Sequence, residues 1–313
     1  MSRIYEALQK AESERKTERG VQQQSPASPA PLQDEVAQEP HRWQTAVADR
    51  MEPETMLEDA PVVTSAALTR DLEGVRELPW APLVNRLPAL MERGSAVEQF
   101  RSLRSRLFEL RDIKPLKSIL ITSGLPQEGK SFVASNLAIS LARHKSSKVL
   151  LIDGDMRRYS LHEVFGTTSS PGLADYLAGR AEISDVMQRA QVQDKDRASA
   201  LPNLTFIPGG NGGDKAADLS GNPRFAELIQ SVSPYFDWIV VDSSPVLPVS
   251  DAVNLARACD GALLVARHGV TKFAVAQRAQ SEMKAANVLG FVLNASDNPP
   301  DLNSYYGYGH SSS

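Results

Sequence analysis

The octapeptide Gly124-Leu-Pro-Gln-Glu-Gly129-Lys130-Ser131 constrains the fold of this chain more than any other segment. It fits the pattern GxxxxGK[ST], and its flanks are those the pattern requires. Lys117-Ser-Ile-Leu-Ile-Thr-Ser123 reads as a buried strand before it, and Ser131 to Leu141 carries apolar residues at helical spacing after it. Glycines 124 and 129 let the backbone turn inward, so that amide N–H groups and a helix N-terminus face an anion. Lys130 is then placed to reach the β and γ phosphates of a nucleotide, and the Ser131 hydroxyl to hold Mg²⁺.

Two further strand ends carry carboxylates. Leu150-Leu-Ile-Asp153-Gly-Asp155 closes an apolar run with two acids at spacing i, i+2, which repel each other unless a metal or a proton stands between them. Asp237-Trp-Ile-Val-Val-Asp242-Ser-Ser-Pro245 ends a second run the same way, as expected of a carboxylate supporting magnesium. Each acid could instead cap the following turn, but a phosphate loop upstream favours the metal and proton-transfer roles.

Short continuous apolar runs at 119–121, 149–152, 204–207, 238–241, 262–265 and 290–293 alternate with helical patterns at 131–144, 172–189, 223–234, 250–258 and 271–286. Another helical pattern, Val97, Phe100, Leu103, Leu107 and Leu110, precedes them. That rhythm predicts an α/β fold of the P-loop NTPase type. Its sheet should be mostly parallel, with helices on both faces and ligands at the carboxyl ends of the strands.

The 313 residues divide unevenly. Residues 1–18 read as a short amphipathic helix with Ile4, Leu8 and Ala11 on one side and mixed charges elsewhere, which suits partner docking. Residues 19–93 hold nine of the 20 prolines and much Gln, Glu, Ala and Ser, so they are expected to be a largely disordered linker. The folded domain is expected over 94–296, with a flexible tyrosine-containing tail at 297–313. A net charge of −4 gives no electrostatic reason for nucleic-acid binding. The single Cys259 excludes a disulfide framework and a CxxC metal pair. With no apolar run near 18 residues and no signal-peptide core, a cytoplasmic location is expected.

Over about residues 94–310 the chain resembles the bacterial tyrosine kinases of capsule and exopolysaccharide biosynthesis, the cytoplasmic autokinases that accompany membrane chain-length determinants. The resemblance rests on Ser123 to Ser131, Leu151-Ile-Asp-Gly-Asp-Met-Arg-Arg158, Gly172-Leu-Ala-Asp-Tyr-Leu-Ala-Gly179 and Val241-Asp-Ser-Ser-Pro-Val-Leu247. Glu98-Gln-Phe-Arg101-Ser-Leu-Arg104 matches the family's ExxRxxR subunit-contact pattern, and Tyr305-Tyr306-Gly-Tyr308 is a short version of its tyrosine cluster.

The resemblance implies ATP and Mg²⁺ as cofactors. Gly124, Glu128, Gly129, Lys130, Ser131, Phe132 and Asn294 would bind the nucleotide, and Ser131, Asp155 and Asp242 would serve the metal. Lys130, Asp153 and Asp155 would be catalytic, with Asp153 accepting the tyrosine proton. Arg157 and Arg158 would stabilise the γ phosphate or meet a partner. Tyr305, Tyr306 and Tyr308 would be phosphoacceptors, reached in trans within a homo-oligomer. The implied partners are a membrane polysaccharide co-polymerase with an activating cytoplasmic segment, which would recruit the chain to the inner face of the plasma membrane, and a tyrosine phosphatase.

Two positions depart from the family pattern. Tyr159 replaces a proline after Arg157-Arg158, and Ser243-Ser244 replaces Thr-Pro. Two alternatives remain at this level: a MinD/ParA-like positioning ATPase, and a non-catalytic nucleotide-dependent scaffold. Leu125 stands where the positioning ATPases place a signature lysine, and a scaffold has no need of the tail tyrosines.

Overall fold

A computed structural model describes residues 74–144, 147–191 and 201–296. The expected N-terminal helix and the tail tyrosines lie outside the described residues.

All six expected strands are present. They are β2 (Ser118–Ser123), β3 (Val149–Asp153), β5 (Leu204–Ile207), β6 (Trp238–Asp242), β7 (Gly261–Arg267) and β8 (Val288–Asn294). Two short strands, β1 (Arg76–Leu78) and β4 (Gln188–Ala190), extend the sheet at the β5 side. The sheet has eight strands in the order β1-β4-β5-β3-β6-β2-β7-β8, and all neighbours are parallel except β4 with β5. Strands β2, β3, β5 and β6 are buried along their whole length, which is why they read as unbroken apolar runs.

Successive residues of a strand face opposite sides, and the core divides accordingly. Ile119, Ile121, Leu151, Trp238 and Val240 pack on one face against α1 (Ser95–Ile113) and α2 (Lys130–Ala142). Leu120, Leu150, Ile152, Ile239 and Val241 pack on the other. There they meet α4 (Leu173–Leu177), α7 (Arg224–Val232) and α8 (Asp251–Ala256). Helix α2 runs through the core with ten of its residues buried, so its sequence lacks a polar face. Trp238 is fully buried, edge-on to Phe108 at 5.3 Å, with the Arg111 guanidinium 4.9 Å from its ring centroid.

The expected helix at 172–189 is divided. Residues after α4 form a separate turn, α5 (Ile183–Val186), and then enter β4. Gly179, with φ 71°, follows α4 and ends its helical path. The domain also begins earlier than position 94. Residues 76–78 pair with β4, and Leu87 and Ala89 are buried against α2, where Asn136 Oδ1 accepts from the Ala89 amide. Among the described residues no helix is long and apolar enough to cross a membrane.

Candidate active site

Strands β2, β3 and β6 lie side by side and end nearly level. Asp153 and Asp242 are register partners, and Ile121 on β2 is level with Asp242. Everything the sequence marked as chemical on these strands therefore converges at one edge. The loop 124–129 leaves β2, turns back at Gly129 and delivers Lys130 as the first residue of α2.

Gly129 has φ 96°, and a side chain there would place its Cβ 1.9 Å from Asn294 Nδ2. Replacing Gly129 with alanine is expected to destabilise the protein by about 2–3 kcal/mol, from left-handed backbone strain plus a lost hydrogen bond. Urea denaturation measures the stability, and nucleotide titration should show affinity weakened about tenfold or more.

Lys130 Nζ lies 3.1 Å from Asp155 Oδ2 and 3.4 Å from Ser131 Oγ. Burial pulls the ammonium pKa down, but Asp242, Asp155 and Asp153 outweigh it and the net shift is upward. One cation thus serves three carboxylates. Asp153 has no exposed surface. Its Oδ2 accepts from the Ser160 and Leu161 amides at 3.1 Å each, and its Oδ1 from the Asp155 amide at 3.3 Å. Burial first, and the facing Asp242 second, still raise its pKa well above the usual carboxylate range. Asp242 is raised to about 6, chiefly by burial, against the pull of Lys130 and of the Ser131 hydroxyl.

Asp242 Oδ1 is buried without a hydrogen-bond partner. An orphaned carboxylate oxygen beside a serine hydroxyl and a phosphate loop fits a hard cation such as Mg²⁺. No group of three or more acids, histidines or cysteines among the described residues could by itself hold a metal. Magnesium is usually held by one or two protein oxygens together with substrate phosphates and water.

Other residues of the expected set lie on or beside the loop. Glu128 is buried inside the loop, where its Oε2 accepts from the Leu125 amide at 2.8 Å and its Oε1 from the Thr271 hydroxyl. Asn294 Nδ2 donates to the Glu128 carbonyl at 2.9 Å, and Arg267 reaches the Gln127 carbonyl at 3.4 Å. Asn294, expected at the adenine, thus has its amide engaged with the phosphate loop backbone. Phe132 turns toward α1 and packs on Phe100, ring centroids 5.8 Å apart. It also borders a cavity of about 300 Å³ shared with Ser131, Ser135 and Ser160. Thr271 and Arg267 escaped the sequence reading because their contacts with the loop span more than 130 residues and no local pattern marks them.

Arg157 is committed to Asp251, Nε to Oδ2 at 2.7 Å, and the Asp251 carboxylate is almost fully buried. Its guanidinium is therefore already paired. The Tyr159 departure is absorbed by Gly209, where an added Cβ would lie 2.5 Å from the Tyr159 Cβ, and the loop still closes over Asp153. Ser243 is absorbed too, since its hydroxyl donates to the Ile121 carbonyl at 3.0 Å.

On α1, Arg101 pairs with Glu98 at 2.5 Å, as the spacing of three residues predicts. Arg104 instead turns inward and donates to the Ser140 carbonyl of α2 at 2.8 Å.

No family model matches the chain. Individual proteins do. EpsB of Ralstonia solanacearum, whose name assigns it provisionally to the tyrosine-protein kinases, is 37% identical over 218 residues, 68% of this chain and 27% of that protein. The tyrosine-protein kinase wzc of Salmonella typhimurium is 34% identical over 204 residues, covering 64% of this chain and 27% of its own length. Among solved structures, the kinase domain of the Escherichia coli tyrosine kinase ETK superposes with a TM-score of 0.62 at 26% identity, over 77% of this chain and 96% of that domain.

The folded domain is homologous to bacterial tyrosine-protein kinase domains. The chain spans about a quarter of the length of the curated relatives it matches. The likeness thus concerns the kinase-type domain and its P-loop fold.

Proposed function

We propose that this chain is an ATP-dependent protein-tyrosine autokinase that regulates exopolysaccharide or capsule synthesis and export, phosphorylating Tyr305, Tyr306 and Tyr308 in a neighbouring copy. The observation that carries the reading is the convergence of Lys130, Asp153, Asp155 and Asp242 at the mouth of the phosphate loop. Homology to tyrosine kinase domains supports it.

In this reading the loop amides and Lys130 bind the β and γ phosphates of ATP and offset the charge that develops during transfer. Ser131 and Asp242, with Asp155 in support, hold Mg²⁺, which when bound neutralises phosphate oxygens. Asp153 takes the proton of the attacking tyrosine, and its raised pKa brings it closer to a hydroxyl whose own pKa is near ~10. Because Asp153 is enclosed by the 159–161 segment, that segment must shift when an acceptor enters. The proton leaves tyrosine for the carboxylate as the new P–O bond forms and the bond from the γ phosphorus to the bridging oxygen of ADP breaks.

Glu98, Arg101 and Arg104 are assigned to a subunit contact in a homo-oligomer. A membrane co-polymerase supplies the activating segment and recruits the chain from the cytoplasm, and a tyrosine phosphatase reverses the reaction. Residues 1–18 are assigned to partner docking.

Mixing two variants tests both chemistry and direction. A Lys130→Met copy keeps its tail, and a Tyr305→Phe/Tyr306→Phe/Tyr308→Phe copy keeps its site. With Mg-ATP and the activating segment present, mass spectrometry should find phosphate on the tail of the Lys130→Met copy only in the mixture. ATP turnover by the wild type without phosphate on any of the three tyrosines would replace this reading with that of a nucleotide-driven scaffold.

A further inference from the structure

Away from the phosphate loop, a second cavity of about 270 Å³ lies between the N-terminal half of α1 and the C-terminal end of α2. Three guanidiniums line it, those of Arg101 and Arg104 from α1 and Arg143 from the residue that ends α2. Among the described residues no carboxylate lines it. Glu98 pairs with one terminal nitrogen of Arg101, and the other donates to the Glu92 carbonyl at 3.0 Å.

Part of this arrangement is structural. Arg104 donates to the Ser140 carbonyl, and one Arg143 nitrogen faces the carbonyls of Ala89, Leu90 and Met91 at 2.8–2.9 Å. Those bonds hold the guanidiniums in place but bring no negative charge, since carbonyl oxygens are neutral. Each guanidinium has five N–H groups, so donors remain on all three. Burial and the neighbouring Arg101 lower the Arg104 pKa, the signature of a cation short of compensation.

A second feature points the same way. Helix α1 is 19 residues long, and its N-cap, Gly94, has no side chain to satisfy the first-turn amides. Val97, in that first turn, lines the cavity. An uncapped helix start and three arginines thus present positive charge to one space. The apolar part of the lining is Ala89, Val97 and Met91, and Met91 is 48% exposed. Guanidiniums interleaved with a thioether and aliphatic groups suit a ligand that carries a phosphate on an aromatic ring.

We propose that this cavity is a receptor for an aryl phosphate monoester, filled by a phosphotyrosine of this chain's own tail. The occupant rests on the autokinase reading, because only that reaction puts phosphate on Tyr305, Tyr306 or Tyr308. The receptor is distinct from the acceptor site at Asp153. It holds the product of the reaction, so a phosphorylated tail is retained on α1 and occupies the surface that Arg101 and Arg104 would otherwise offer to a neighbouring subunit.

The test uses the full-length chain and a fluorescent synthetic peptide of residues 297–313 with phosphate on Tyr306, so it needs no kinase activity. Loss of the kinase reading would show in the mixing experiment alone. The phosphopeptide should bind about tenfold or more tighter than its unphosphorylated form. Arg101→Ala and Arg143→Ala should each lose about tenfold, with Arg101→Lys retaining part of the affinity as a point charge. Circular dichroism and melting temperature confirm that each variant is folded. Equal binding of both peptides, or phosphopeptide binding indifferent to Arg101 and Arg143, overturns the receptor. Phosphotyrosine in an unrelated sequence binding as tightly as the tail overturns the tail as specific occupant, and inorganic phosphate competing as well as the phosphopeptide overturns the aryl requirement.

Discussion

Lys130→Met should lower ATP-dependent phosphate incorporation by roughly a thousandfold, the scale of losing a charge-stabilising donor in a transition state. It should also weaken the fold, which a residue serving ATP alone would not do. Among the described residues Lys130 is the cation paired with the group Asp153, Asp155 and Asp242, at 3.1 Å from Asp155, while Arg157 is committed to Asp251. Methionine fills similar space without charge, leaving three buried acids to repel one another. The expected cost is about 2 kcal/mol at pH 7.5, reduced because the acids can take up protons instead. Lowering the pH toward 5 supplies those protons and should narrow the gap between variant and wild type. Thermal melts at the two pH values check this, and a gap that widens on acidification would refute the charge-balance argument.

The second large effect runs in the opposite direction. Asp242→Asn should make the nucleotide-free protein more stable at pH 7.5 while removing its response to Mg²⁺ and ATP. The Asp242 pKa is about 6 in the folded protein, against an ordinary value near 3.8, so the folded state binds the proton more tightly than the unfolded chain. The stabilising proton is present below about pH 4 in both states, and its benefit disappears as pH rises through about 6. Above that, an ionised carboxylate with one unpartnered oxygen remains buried. The penalty removed by asparagine is on the order of 2 kcal/mol, or several degrees in melting temperature. The gain should shrink as the pH falls through 6 and be lost below about pH 4. A variant melting no higher than wild type at pH 7.5 would mean that Asp242 is compensated in the free protein after all.

This balance explains which parts of the site were legible in the sequence. Asp153 and Asp242 each end an apolar strand, and parallel pairing of β3 and β6 brings them level, so a one-dimensional pattern became a three-dimensional juxtaposition without further information. Five of the six longer strands were visible because both their faces are buried or nearly so, whereas β8 showed only through its apolar composition, with Phe291 and Leu293 exposed. Strands β1 and β4 were not, since Arg76-Glu-Leu78 and Gln188-Arg-Ala190 lie toward one margin of the sheet and carry no apolar run. Proline content placed residues 74–93 in a linker, yet Leu87 and Ala89 are buried there, because proline disfavours regular structure without preventing a loop from packing. Thr271 and Arg143 were missed for another reason. Each acts on a segment distant in sequence, the one on Glu128 and the other on the 89–91 turn, and only the fold creates the contact.

The order of the strands gives the domain a direction. The described chain joins the sheet at one margin through β1 and leaves it at the other through β8, with six strands between. At roughly 4.8 Å per step, those two points are separated by about 34 Å across the sheet. The two margins are therefore separate surfaces, with the phosphate loop at the end of β2 between them. A contact made at either margin thus leaves the carboxyl ends of β3, β6 and β2, in the middle of the sheet, open to chemistry.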